Sequence, residues 1–444
     1  MYSKELQKIF DAEDIKLGDL VEIEWQGLTL EGALMPKPET GDEDTIILKL
    51  KNGYNIGIKY HNLKLKKISS RGASNYPLSK YKLDPSLPNI SILWTGGTIG
   101  SRIDYIVSGV SMTVKPEELL YYIPELAKIA NINIIPLFSI SSEDMTYLEW
   151  QRIAEETAKA LNSGSRGVVI THGTDTMHYT ASALAFMLQD LNAPVVLTGS
   201  QRSSDRGSSD AFFNLISAVR FAAYSDIAEV GICMHGSSSD DEMLFIRGVK
   251  ARKMHTSRRD AFRPINDKPI ASISKDLQSK IKYLDDNYRK IKDSKVKVMA
   301  NTNFEKVALI KVHPNSDPEI IEYYMQKGIR GFIIEGTGLG HTPVSVEHEG
   351  FSWLPYIKDA VANGAVVGMT SQCLYGRVNE NVYKNLRLLK NAGVVFCEDM
   401  LPETAYVKLG WLLANYDTDK VKGLLNKNLV GEIKKRIRFD EFLI

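Results

Sequence analysis

THGTDT, residues Thr171 to Thr176, crowds threonine hydroxyls, an imidazole and a carboxylate around a single glycine. The run before it, GVVI (Gly167 to Ile170), is bounded by glycine and too short for a helix, so it reads as a buried strand of a parallel sheet. The run after it, MHYTASALAFMLQDL, carries helical spacing, with Ala181, Leu184, Met187 and Leu188 on one face. Open α/β sheets bind their ligands at the carboxyl ends of the strands. Thr174 and Asp175 therefore stand where chemistry is usually done.

A second segment repeats the arrangement. NISILWTGGTIG, Asn89 to Gly100, runs from a strand (Ile90, Ile92, Leu93) into paired glycines flanked by Thr95 and Thr98. Glycines allow positive φ and close backbone approach, and they leave N–H groups free to face an anion. A threonine hydroxyl is a poor nucleophile until a base or lysine activates it. Two strand ends that each offer a threonine make covalent acyl transfer a candidate chemistry.

From Ile90 to about Phe262 the segments ILW, INIIPLF, GVVIT, PVVLTG and EVGICMH alternate with helical stretches such as YLEWQRIAEETAKAL. That alternation predicts a doubly wound α/β domain. A charged, glycine-poor stretch over Ile273 to Val298 reads as a connector or insertion, and VALIKV, GFIIEG and AVVGMTS supply the strands of a smaller α/β unit. Residues 1–75 differ: short alternating strands are punctuated by Gly18, Gly27, Gly32, Pro36-Lys37-Pro38, Gly41-Asp42 and Asn52-Gly53. This pattern predicts a small β-barrel of the SH3 type, with Asn52-Gly53 as a hairpin turn. The predicted organisation is then a barrel over 1–75, a linker over 76–88, an N-terminal α/β domain over 89–275, a charged connector over 276–303 and a C-terminal α/β domain over 304–444.

Composition excludes several classes. The chain has 444 residues and a formal net charge of +1, so no global basic field marks a nucleic-acid binder, which leaves room only for a local patch. Cys233, Cys373 and Cys397 show no C-x-x-C pairing, and the eight histidines show no metal-ligand spacing, so neither a disulfide framework nor a metal site is expected. The charged first twenty residues lack an apolar h-region, and no apolar run approaches the ~20 residues of a membrane span. A cytoplasmic protein without membrane attachment is expected. EGTGLGHT (Glu335 to Thr342) fails the dinucleotide fingerprint because His341 replaces its last glycine, and no G-x-x-x-x-G-K-[ST] occurs.

TGGTI at 95–99 and HGTDT at 172–176, roughly 80 residues apart, resemble in order and separation the two signatures of the asparaginase/glutaminase superfamily. RKMHTSRRDAF (Arg252 to Phe262) resembles the family's lysine-bearing segment, and SSEDM (Ser141 to Met145) its substrate-binding loop. The resemblance implies catalytic roles for Thr95, Thr174, Asp175 and Lys253, with Tyr105 of GSRIDY as the mobile-loop tyrosine. It implies that Ser142, Glu143 and Asp175 bind the α-carboxylate and α-ammonium of an amino-acid substrate, Glu143 standing where glutamine is common. Where the family's loop donates an asparagine to a neighbouring subunit, this chain has Leu339.

Each of these residues also has a plainer reading: Thr95 as a turn or cap residue, Thr174-Asp175 as a helix cap, Tyr105 as a surface aromatic and Ser142-Glu143 as a solvated turn. His172 reads as a structural histidine rather than a base. The N-terminal extension of about 85 residues and the charged insertion resemble, within the superfamily, the glutaminase subunits of archaeal tRNA-dependent amidotransferases. That likeness implies ammonia release from glutamine or asparagine, with no cofactor in this chain. It also implies an E-type partner subunit that uses ATP and Mg to convert Glu-tRNA(Gln) to Gln-tRNA(Gln), and a homodimer of this chain within a heterotetramer. The alternatives left open are a stand-alone cytoplasmic L-asparaginase with an accessory domain and a non-catalytic tRNA-binding scaffold.

Overall fold

The computed structural model describes all residues except 1, 36–41, 51–54, 62, 70–82, 98–100, 105–108, 113–122, 203–208, 277–278, 302, 347–348 and 443–444. Tyr105, Thr98, the Asn52-Gly53 turn and most of the 76–88 linker lie outside the described residues.

The larger domain is built on an eight-stranded sheet. Its order is Lys282–Tyr283, Ala271–Ser274, Glu242–Arg247, Val230–His235, Val195–Thr198, Gly167–Thr171, Asn89–Gly96 and Asn131–Ile140. The last five of these run parallel. Val168, Val169 and Ile170 are wholly buried, as expected of a parallel strand covered on both faces. Pro136 is tolerated because Asn131–Ile140 is an edge strand, where the missing N–H costs no ladder bond.

The helix after THGTDT covers Met177–Met187 and stops one residue short of the expected stripe. Leu188–Gln189 instead pairs antiparallel with Lys297–Val298. Nor is the helix one-faced: every residue but Tyr179 is buried, because the C-terminal helix Pro402–Asn415 covers the side that would otherwise meet water. Ser182 and Thr404 hydroxyls hydrogen-bond across this contact at 3.1 Å.

The charged stretch after Ile273 is stitched into the fold. It adds Lys282–Tyr283 to the sheet edge and docks Lys297–Val298 on the far side. The C-terminal unit is a four-stranded parallel sheet, in the order Val307–Lys311, Gly331–Gly336, Val366–Ser371 and Val395–Phe396. One apolar cluster spans both units, joining Phe186 and Leu184 to Leu409 and Trp411.

The N-terminal unit is a five-stranded antiparallel sheet preceded by a helix, Lys4–Ala12, that the alternating pattern did not anticipate. Ser3 caps the helix by accepting from the Leu6 amide, and Leu6 and Phe10, one turn apart, are buried with Val21, Ile23, Leu34, Ile46, Leu48 and Ile58. The strand series ends at Asn55–Lys59 on one side and Leu65–Ser69 on the other, with no pairing between these two among the described residues. The expected barrel is thus seen as a sheet whose inner face is covered by a helix.

Candidate active site

Thr95 sits near the end of the strand Asn89–Gly96, beside the end of Gly167–Thr171. The register against the edge strand slips between Trp94 and Gly96, a bulge of the kind that re-aims a side chain. Thr95 is fully buried, and its hydroxyl donates to the Thr171 carbonyl at 2.5 Å. Gly96 and Gly97 follow with φ of 100° and 77°. A Cβ on Gly97 would lie 2.4 Å from the Gly173 amide nitrogen, so only glycine lets the two loops meet backbone to backbone.

The S-E-D turn closes on the same point. Ser142–Asp144 is a single 3-10 turn. Its Ser142 carbonyl accepts from the Thr176 hydroxyl at 2.6 Å, and a Cβ on Gly173 would clash with the Ser142 side chain. Ser142 is buried beside the HGT backbone, whereas Glu143 and Asp144 are exposed.

Lys253 ends the short strand Ala251–Lys253, which pairs with Phe262–Pro264. Its ammonium donates to the Thr174 hydroxyl oxygen at 2.8 Å and to Asp175 Oδ1 at 2.5 Å. The structure thus brings Thr174, Asp175 and Lys253 into direct contact. Thr95 is held one loop away on the Thr171 carbonyl. A lysine in this position can take the Thr174 proton when neutral and return it when charged, while the carboxylate keeps the amine in place.

His172 is not placed to act as a base. Its Nδ1 lies 2.6 Å from the Gly173 carbonyl and must carry the proton that bond requires. Its Nε2 then accepts from Thr180 Oγ1 at 2.8 Å, and that oxygen accepts in turn from Trp150 Nε1 at 2.8 Å. Complete burial pushes His172 down to about 4, so the ring is neutral and fixes the loop.

Three neighbours were not singled out from the sequence. Arg252 reaches Glu403, in the first turn of helix Pro402–Asn415, at 2.6 Å. Burial pushes the Glu403 carboxyl up against the opposing pull of Arg252, and its Oε2 has no hydrogen-bond partner. His178 is pushed down to about 3 by burial and by the cations of Arg252 and Lys253. The C-terminal unit thereby walls the side of the site next to Lys253. Leu339, by contrast, packs against the core of the C-terminal unit. Among the described residues no group of three or more His, Cys, Asp or Glu could hold a metal ion, and no helix is long and apolar enough to cross a membrane.

These two histidines predict an acid limit to stability. Both are neutral in the folded chain, whereas unfolding returns them to the ordinary 6.5. The unfolded chain then binds more protons below that pH, so their stabilisation is complete above it and is lost as pH falls towards 4 and 3. Each histidine should cost on the order of 1 kcal/mol by a pH of about 5.5. Urea unfolding at about pH 7.5 and 5.5 checks this, and equal stability at both would contradict the assignment.

Comparison with known proteins places each unit of the chain in a family. The family model "Asparaginase, N-terminal" matches residues 89–288, "Glutaminase/Asparaginase C-terminal domain" matches 306–425 and "GatD N-terminal domain" matches 15–68. The thermostable L-asparaginase from Thermococcus kodakarensis is 28% identical, with a TM-score of 0.67 over 78% of this chain and 100% of its own. Vibrio cholerae L-asparaginase I is 30% identical, with a TM-score of 0.67 over 79% of this chain and 100% of its own. The D-subunit of glutamyl-tRNA(Gln) amidotransferase from Pyrococcus furiosus is 51% identical over 99% of this chain and 100% of its own. The Pyrococcus horikoshii protein of the same name is 48% identical over 99% of each. With that likeness running through the N-terminal sheet as well as both asparaginase-like units, the chain belongs to the family of glutamyl-tRNA(Gln) amidotransferase D-subunits.

Proposed function

We propose that this chain is the glutaminase subunit of a tRNA-dependent amidotransferase: it hydrolyses the side-chain amide of glutamine or asparagine and supplies the ammonia to a partner subunit. In this reading Thr95 Oγ attacks the amide carbon, the C–N bond breaks as ammonia leaves, and water then cleaves the acyl-threonine to give the free amino acid. Thr174, Asp175 and Lys253 move the protons. Tyr105 assists from its loop, Ser142, Glu143 and Asp175 hold the α-carboxylate and α-ammonium, and no metal takes part. The partner is an E-type subunit that uses ATP and Mg to activate Glu-tRNA(Gln), and the chain works as a cytoplasmic homodimer within a heterotetramer. The observation that supports this best is the three-way contact of Lys253 Nζ with Thr174 and Asp175, next to a TGG loop packed on the HGT backbone.

Two outcomes are expected. Thr95→Val keeps the shape and loses the hydroxyl, so ammonia release from glutamine should fall about 1000-fold or more with the fold intact. Ammonia release near wild type would remove Thr95 from the mechanism. Thr174→Val, assembled with the E-type subunit, should still form Gln-tRNA(Gln) when ammonium is supplied, because this chain contributes only the nitrogen. If ammonium does not rescue the assembled variant, the division of labour is wrong; if no E-type partner associates, stand-alone asparaginase activity becomes the better reading.

A further inference from the structure

A cavity of about 710 Å³ opens well apart in sequence from the threonine loops, between the segment Leu284–Arg289 and the C-terminal tail Asn428–Glu441. Its floor is tied together by buried ion pairs. Arg247 holds Glu229 at 2.5 Å and Asp267 at 3.3 Å. The tail crosses directly over this arginine: Gly431 has φ of 101°, and a Cβ there would lie 2.5 Å from Arg247 Nη1. Lys434 then anchors the tail to Asp267 at 2.8 Å and to Glu441 at 2.7 Å. Glu432, wholly buried, accepts from the Leu429 and Val430 amides and pairs with Lys408. The wall is therefore built, not a loose end.

On that wall the charges do not balance. Glu229, Asp267 and Glu441 are taken up by Arg247 and Lys434, and Lys268 pairs with Asp440. Arg289, Lys435, Arg436 and Arg438 line the cavity without an ion pair among the described residues, against one unpaired lining carboxylate, Asp285. Arg289 is the informative one. Its amide donates to Glu229 at 2.8 Å, but its Nε is buried with no partner. Burial disfavours its charge and Arg247 adds to that, against the opposing pull of Glu229 and Glu432. Arg289 is half-buried, and a buried guanidinium N–H without an acceptor costs stability until an acceptor completes it.

We propose that this crevice is a phosphate-binding site, in which the Arg289 guanidinium and the tail cations Lys435, Arg436 and Arg438 receive the oxygens of a phosphate-bearing ligand. Planar guanidinium forks match phosphate oxygens, and four cations against one carboxylate suit a multiply charged ligand better than a single carboxylate. Phosphate of this kind comes either from an RNA backbone or from a free nucleotide. The RNA source rests on the tRNA-dependent function proposed above, and the site would then give this chain, nearly neutral overall, its own local contact to the tRNA.

The test is equilibrium binding of the full chain to a tRNA(Gln) transcript, to ATP and to inorganic pyrophosphate between about 50 and 200 mM salt. Wild type is compared with Arg289→Gln and with the double variant Arg436→Glu, Arg438→Glu, whose two positions are exposed. An RNA source predicts transcript binding weakened tenfold or more by the double variant, with the salt slope reduced by about two. A free-phosphate source predicts that the variants weaken ATP or pyrophosphate binding instead. Absence of binding by all three probes, or variants that bind as wild type does, overturns the site. Binding needs neither turnover nor partner, and ammonia release from glutamine should be unchanged in the variants, so failure here and failure of the glutaminase reading are read separately.

Discussion

Lys253→Met should lower kcat for amide hydrolysis about 1000-fold or more while leaving the fold unchanged. The lysine is the only group seen to touch both Thr174 and Asp175 among the described residues, at 2.8 and 2.5 Å. Methionine fills the same space but neither donates nor accepts the proton. Lys253→Arg separates two roles that methionine removes together. Arginine keeps the charge and can still bond Asp175, yet it does not deprotonate in proteins. If Lys253 transfers a proton, the arginine variant is nearly as inactive as the methionine variant. If arginine restores activity to within about tenfold of wild type, the lysine is only a structural cation.

The largest effect on stability is expected at a pair remote from any proton transfer. Lys250 and Asp399 are both wholly buried and 2.7 Å apart, and they join the sheet domain to the C-terminal unit. Burial pushes the Lys250 amine down and Asp399 opposes it. Lys250→Met strands a carboxylate in the interior, and breaking a buried pair in this way costs about 3–5 kcal/mol. Adding Asp399→Asn should recover part of that loss, since the neutral amide can still accept from the Lys434 amide, which now donates to Asp399 Oδ1 at 3.0 Å. Urea unfolding of both variants measures the difference. A single variant that loses less than about 1 kcal/mol would show that the pair does not hold the two units together.

The parts of this molecule that could be read from its sequence were those encoded locally. THGTDT announced its strand-to-helix junction because glycine bounds the strand and helical spacing follows at once. TGG announced a tight approach because two adjacent glycines permit positive φ and close backbone contact. Lys253 came only through resemblance, since nothing in RKMHT says that this lysine, and not a solvated one, reaches Thr174. Glu403 was invisible for a different reason. It meets Arg252 across the domain junction, and no local period encodes a contact between residues so far apart in the chain. The helix Lys4–Ala12 was legible and passed over: Leu6 and Phe10 at i and i+4 after a capping Ser3 are a helical signature, masked by the surrounding charges. The end of Met177–Met187 was not legible, because Leu188 fits the apolar stripe and only its pairing with Val298 draws it out of the helix.

The central claim is that the amide nitrogen released at this threonine site is the nitrogen delivered to the tRNA-bound glutamate. The most direct measurement supplies glutamine labelled with 15N at the side-chain amide to the assembled complex, with ATP, Mg and Glu-tRNA(Gln), and reads the label in Gln-tRNA(Gln). Wild type should place 15N in the product and Lys253→Met should not. Unlabelled product from wild type, or labelled product from the variant, would contradict the account.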